Sequence, residues 1–157
     1  MKYSNEYIEC EFIGRNFVGK KVIADVDFIG ALHRIDAYAE YTGVKVYVTS
    51  SSRELNKTVE GAIVKPASNS CHYVGHAIDK NLICENKFYN SAKLKKENHE
   101  NLPAGILKFI DCIRNDSGLR WGGDFQKEDV VHIDDNLYHT HKDIYLSKIA
   151  SRINEGE

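Results

Sequence analysis

The sequence predicts an α+β fold with a mainly antiparallel sheet. Three observations point there: helical and strand-like periods are both present, the strand-like runs are short, and they do not alternate with helices in the βαβ order of a parallel sheet. The elements can be justified in chain order. Gly19–Val26 (GKKVIADV) reads as an early strand. In the run that follows, Ile29, Leu32, Ile35 and Ala39 recur at helical spacing, with Asp27 expected to cap the start and Gly43 the end. VKVYVTS then alternates Val44, Val46 and Val48 with polar partners, as a half-buried strand does. The polar run from Ser50 to Gly61 suggests a loop or short helix.

Farther along, Cys84 to Asn101 is strongly polar and is expected to be a solvated insertion or lid. Pro103 suits a first helical turn, Ile106, Phe109, Ile110 and Ile113 form an apolar stripe, and Gly118 is placed to end that helix. LRWGGDF and VVHID suggest two short strands joined by a tight turn region, and HKDIYLSKIASRIN suggests a C-terminal amphipathic helix. With no internal repeat and no Pro/Gly/Ser linker, the 157 residues are expected to form a single domain over 1–157, interrupted only by the polar segment around 84–101.

Composition narrows the function classes. Apolar residues make up 42% of the chain and charged residues 28%, as in ordinary globular domains. A net charge of −2 without a dense basic stripe speaks against nucleic acid or an anionic membrane surface as partner. No apolar run approaches the ~20 residues of a membrane span, so no membrane insertion is expected. The first residues lack the apolar core and cleavage site of a signal peptide. The chain is therefore expected to be made in the cytoplasm, or to be a released fragment, and to need another route if it acts outside the cell. Cys10, Cys71, Cys84 and Cys112 are far apart and form no CxxC pair, which fits reduced thiols better than a zinc finger or a disulfide framework.

The chemistry-bearing residues concentrate in SNSCHYVGHAID and DVVHID. His72, Asp79 and His132 offer two imidazoles and one carboxylate, a donor set that suits Zn²⁺ with a fourth position for water. Asp129 and Arg53 are the candidate base and the candidate positive group such a site needs. Each has a plainer reading: a His-x6-Asp spacing does not by itself define a metal site, and His132 lies in an apolar run where core histidines occur. Asp129 could cap a turn, and Arg53 could form a surface ion pair. In a regular strand Asp129 and His132 would face opposite sides, so a shared site requires a bend just after Asp129.

Neighbouring features are weaker candidates. Cys71 adjoins His72, but sequence neighbours rarely meet as nucleophile and base. His76 falls on the other strand face from Asp79 and reads as a bystander, while His139 and His141 read as surface residues. GGDF at Gly122–Phe125 is too short to carry a signature, and no phosphate-binding GxxxxGK[ST] loop is present.

Three blocks carry a family resemblance. Ser70-Cys71-His72-Tyr73-Val74-Gly75-His76-Ala77-Ile78-Asp79 fits SxHxxGxAxD and resembles the first zinc motif of the D-alanyl-D-alanine carboxypeptidase family. VTSSSR resembles that family's strand ending in TSGYR. LRWGGDFQKEDVVHID resembles the WGGDW…DxxHF segment of its L-alanyl-D-glutamate endopeptidase branch, which includes phage endolysins. The blocks stand in the family's order over residues 44–134.

The resemblance implies the Hedgehog/DD-peptidase fold, a small antiparallel sheet carrying zinc and flanked by helices. It implies His72, Asp79 and His132 as zinc ligands, Asp129 as general base, and Arg53 at the substrate carbonyl or oxyanion. It further implies Ser70 as a hydrogen bonder to substrate, with Trp121 and Asp124 shaping the cleft and orienting a ligand. The chain departs from the pattern at Ser51-Ser52, where the family has Gly-Tyr, and at Ile133-Asp134, where it has Phe-Glu.

The activity so implied is zinc-dependent hydrolysis of peptidoglycan stem peptides by a monomer acting on the cell wall after lysis or delivery, with L-Ala-D-Glu endopeptidase first. The alternatives are a D-Ala-D-Ala carboxypeptidase or dipeptidase, or a non-catalytic zinc-containing binding module of Hedgehog type.

Overall fold

The structure is a computed structural model and describes residues 3–54 and 69–155. Near the N-terminus, β1 (Glu9–Phe12) pairs antiparallel with β3 (Val22–Asp25). The larger sheet is built around β5 (Ala77–Cys84), which lies antiparallel to β4 (Val44–Ser50). The other edge of β5 is shared by two strands. β8 (His132–Asp134) covers its first residues and β6 (Lys87–Tyr89) its last. β7 (Arg120–Trp121) lies outside β8, and β2 (Phe17–Gly19) runs parallel to β4. The expected mainly antiparallel α+β fold is what these elements form; among the described pairings β2 with β4 is the parallel one.

One sheet face is buried under α1 (Ile29–Thr42) and α3 (Ala104–Asn115). Val44, Val46 and Val48 of β4, Ile78 and Leu82 of β5, Leu32 and Ile35 of α1, and Ile106, Phe109 and Ile113 of α3 share a single apolar cluster. The period-2 and period-3.6 patterns thus meet on the face each predicts. A smaller cluster sets Tyr145 and Ile149 of α5 (Lys142–Glu155) against Cys71, Val74 and Leu137, the last from α4 (Leu137–Thr140).

Several boundaries differ from expectation. Asp25, not Asp27, supplies the cap: its carboxylate accepts the Asp27 N–H and opens a 3₁₀ turn that leads into α1. α3 ends at Asn115 rather than near Gly118, because the Asp116 carboxylate takes the Gly118 N–H and turns the chain out of the helix. Segment 84–101 builds structure of its own: β6, the short α2 (Ser91–Leu94) capped by Asn90, and a 3₁₀ turn over Lys96–Asn101. Leu94 and Leu102 anchor it in the core. Of the polar run from Ser50 to Gly61, residues 55–61 lie outside the described residues.

Candidate metal centre and active site

The site starts where β4 ends. The register with β5 shifts between Val48 and Ser50, and Ser50 comes opposite Asp79. Past it, Ser51 and Ser52 are held against β3: the Ser51 Oγ accepts the Ile23 N–H and the Ser52 N–H donates to the Ile23 carbonyl. The chain returns at Ser70, whose Oγ accepts the His72 N–H and caps a 3₁₀ turn over Cys71–Val74. Gly75 closes that turn at φ 70°, where an added Cβ would stand 2.5 Å from the Asp25 nitrogen. Glycine meets both demands, the left-handed backbone and the close approach. This sharp return feeds directly into β5.

In β5, Ile78, Lys80 and Leu82 point into the buried face, so Asp79 points out of the other. Its cross-strand partner is His132, which shares that outward face. His72 reaches the same point from the 3₁₀ turn. The Asp79 Oδ1 stands 3.2 Å from His72 Nε2 and 3.3 Å from His132 Nδ1, and all three potential ligand atoms fall within 4.8 Å of one another.

These spacings are informative beside the chain's other histidine–carboxylate contacts. His76 meets Asp135 at 2.6 Å and Asp25 at 2.7 Å, and His132 Nε2 meets Asp134 at 2.7 Å. Those are charge-assisted hydrogen bonds of ordinary length. The two contacts to Asp79 Oδ1 are half an ångström longer, and match the edge of about 3.3–3.4 Å expected of a tetrahedron with metal–ligand bonds of about 2.0–2.1 Å.

The second nitrogen of each imidazole is committed. His72 Nδ1 lies 2.6 Å from the Ser51 carbonyl, to which it can only donate, so Nε2 carries the lone pair. His132 Nε2 faces Asp134 Oδ2, which directs the Nδ1 lone pair to the cluster. Asp134 is itself gripped by Arg120 through two contacts of 2.8 Å. Burial opposes ionisation of Asp134, but His132 and then Arg120 outweigh it and bring its carboxyl down to about 2. The same contest holds the Asp79 carboxyl well below the usual range, with His132 and His72 overcoming burial. With no cation competing for Nδ1, His132, which burial alone would push down, is raised to about 9 by hydrogen bonds to Asp134 and Asp79; a metal ion there would take the place of the Nδ1 proton. The donor set, its spacing and the oriented lone pairs fit a divalent metal ion.

Asp129 lies on the bend expected of it. The His132 N–H donates to the Asp129 carbonyl across a tight turn, after which β8 begins. Gly122 makes this possible: its carbonyl accepts the Asp129 N–H at 2.9 Å, and a Cβ there would overlap the Asp129 carbonyl and stand 2.9 Å from His132 Cβ. The Asp129 side chain is exposed. The next carbonyl, that of Val130, accepts from Trp121 Nε1 at 3.0 Å and from Lys80 Nζ at 3.1 Å. Lys80 is 1% exposed, and burial draws its ammonium down to about 8 against the pull of Asp79 and Asp129.

The other expected residues are placed as follows. Arg53 reaches the cluster, but through the metal-ligand candidate: its Nη2 donates to Asp79 Oδ2 at 2.9 Å. That contact turns Oδ1 toward the histidines. The Arg53 backbone is pinned by its N–H to the His72 carbonyl and by Arg152 of α5, which donates to the Arg53 and Tyr73 carbonyls. Ser70 caps the turn under His72. Trp121 is buried, supports Val130, and stacks with His99 at 5.7 Å. Asp124 does not orient a ligand: it pairs with Arg114 and Lys96, and Asp134 takes the orienting position instead.

Cys71 is buried with its thiol pushed up to about 12 by desolvation, which does not suit a nucleophile. His76 stays off the metal cluster, as expected, yet is far from idle, since it bridges Asp25 and Asp135 at 0% exposure. His139 and His141 are exposed.

Residues 64–135 match the family model described as D-alanyl-D-alanine carboxypeptidase. No curated protein matches the chain. Among solved structures, it is similar to the Serratia marcescens L-Ala D-Glu endopeptidase ChiX, with 15% identity, coverage of 73% of this chain and 81% of that one, and a TM-score of 0.44.

Proposed function

We propose that this chain, whose residues 64–135 match the family model described as D-alanyl-D-alanine carboxypeptidase, is a zinc-dependent hydrolase of peptidoglycan stem peptides, cutting between L-Ala and D-Glu. The observation that carries the metal assignment is the pair of His–Asp79 spacings, tetrahedral in length where the other histidine–carboxylate contacts are short. His72 through Nε2, Asp79 through Oδ1 and His132 through Nδ1 would hold the ion. When bound there, zinc supplies a Lewis acid and a water of lowered pKa. The choice of the L-Ala–D-Glu bond rests on the block from Trp121 to Asp124 followed by Asp129 and His132, which resembles the endopeptidase branch.

The protein's own groups divide the remaining work. Asp129 accepts the proton of the attacking water and returns it to the leaving amine. Its carboxylate is exposed and so open to substrate, while its backbone is fixed on both sides by Gly122 and His132. The Arg53 guanidinium carries five N–H groups, more than its contacts to Asp79 and Ser50 use, and directs the rest to the substrate carbonyl as negative charge develops. Asp134 and the Ser51 carbonyl keep both imidazoles in their ligating tautomers. Ser70 contributes by shaping the turn, its Oγ accepting the His72 N–H.

Digestion of purified peptidoglycan by the zinc-loaded protein, with mass spectrometry of the new termini, tests the reading. The expected products are a new L-Ala carboxyl terminus and a new D-Glu amino terminus, formed only at a small residual rate by Asp129→Ala although zinc is still bound. Release of single D-Ala residues would replace the endopeptidase by a carboxypeptidase. Zinc bound without any new terminus would favour a binding module.

A further inference from the structure

We infer that Lys80 is a positioning residue for Asp129, an ammonium buried to hold the turn that presents the catalytic base; the inference rests on the reading of Asp129 as that base. Lys80 stands on the core face of β5 between Ile78 and Leu82, both fully buried. A leucine or methionine would satisfy that position without the cost of burying an ammonium, and core charges replaced by apolar groups are often neutral or stabilising. The lysine does something there that an apolar residue cannot. Lys80 lies on the stretch of β5 edge between the β8 and β6 ladders, and its Nζ donates to the Val130 carbonyl at 3.1 Å. Its own backbone N–H donates to the Val131 carbonyl at 3.0 Å.

One residue therefore holds two consecutive carbonyls of the segment linking Asp129 to His132. The remaining contacts complete the clamp. The Asp129 N–H is on Gly122, the Asp129 carbonyl takes the His132 N–H, and the Val130 carbonyl is shared with Trp121 Nε1. Of the two side-chain donors to Val130, the Lys80 ammonium is the one that ties the turn to β5, the strand that carries Asp79. It fixes the candidate base relative to the candidate metal ligand. Without it, the Val130 carbonyl loses its charged donor and keeps Trp121 Nε1, while the β5 side holds the segment only through the Lys80 N–H to Val131.

The test is a double-mutant cycle on the zinc-loaded protein with a defined stem peptide, using Lys80→Met, Asp129→Ala and the double variant. Lys80→Met keeps the volume and removes the donor. The expected result is a fall in kcat of about 10- to 100-fold, the scale of a misplaced catalytic group, with KM and zinc stoichiometry unchanged and Tm equal to or above that of the parent. In the Asp129→Ala background the same change should alter the residual kcat less than about 2-fold, since the effect passes through Asp129.

A merely structural lysine would instead lower Tm and reduce kcat equally in both backgrounds, and that outcome overturns the proposal. So does a Lys80→Met enzyme with the parent kcat. Trp121→Phe, which removes the second donor to the same carbonyl, should show the same non-additivity with a smaller loss, and its full additivity would overturn the proposal even if Lys80→Met failed to fold. An Asp129→Ala protein with the parent kcat would instead sink the assignment of the base itself, which separates the two failures.

Discussion

Replacing Gly122 by alanine should disable the enzyme while leaving its metal in place. The methyl group would overlap the Asp129 carbonyl and press on His132 Cβ at 2.9 Å, so it strikes the two residues that must stay in register. His132 is held by β8 and by Asp134, which Arg120 grips in turn. Asp129 lies on an exposed turn and is the group that yields. Restoring ordinary carbon–oxygen contact displaces its backbone by roughly 1 Å, and a shift of that size in a reacting group costs roughly 10²-fold in rate. In free energy this is about 3 kcal/mol of transition-state stabilisation. The assay compares kcat/KM of Gly122→Ala and parent on a stem peptide, with zinc equivalents and far-UV circular dichroism as controls. Parent-like kcat/KM in a folded, zinc-loaded variant would refute the placement of Asp129 by this close approach.

Other expectations follow from the same contacts. Asp134→Asn removes the anionic orienter of His132 and should weaken zinc binding by roughly 10- to 100-fold, read by competition with a chelating dye; an unchanged affinity would mean that His132 is oriented otherwise. Gly75→Ala should lower stability by about 1–3 kcal/mol, because it combines a left-handed backbone with a close approach to Asp25; an unaltered urea midpoint would contradict it. His76 should make stability pH-dependent. Burial opposes its charge, but Asp135 and Asp25 outweigh burial and raise its pKa from 6.5 to about 9. A raised pKa stabilises fully below about 6.5 and the gain is lost as pH climbs through about 9, a swing of at most about 3 kcal/mol. Lys148, 2.9 Å from Asp25 and also buried, faces the same carboxylate. Urea midpoints of the zinc-loaded protein should fall between pH 6.5 and 9, and a rise would reverse the assignment.

Much of the fold was legible because it depends on local periodicity. Val44, Val46 and Val48 alternate, Ile29 to Ala39 and Ile106 to Ile113 repeat at helical spacing, and those patterns lie on the buried faces they predict. The short strands β1 and β2 carry no such signal, and their pairing depends on partners distant in sequence. Helix ends went astray where an aspartate, Asp25 or Asp116, competed with the expected residue for a backbone N–H. For the site, the motif blocks pointed to His72, Asp79, His132 and the bend after Asp129. Two further signals were available from period 2 alone: Asp134 shares a face with His132, and Lys80 falls between Ile78 and Leu82 on the core face. The bridge from His76 to Asp25 and Asp135 spans 51 and 59 residues of sequence, and no local pattern encodes it.

The central claim is that hydrolysis depends on a metal held by His72, Asp79 and His132. Titrating zinc into chelator-stripped protein, while following stem-peptide cleavage in the same samples, tests it most directly. Activity should rise linearly and saturate at one equivalent, and His132→Ala should show neither the tight equivalent nor the activity. Cleavage that persists in the stripped protein, or zinc that binds at one equivalent without restoring any cleavage, would contradict the account.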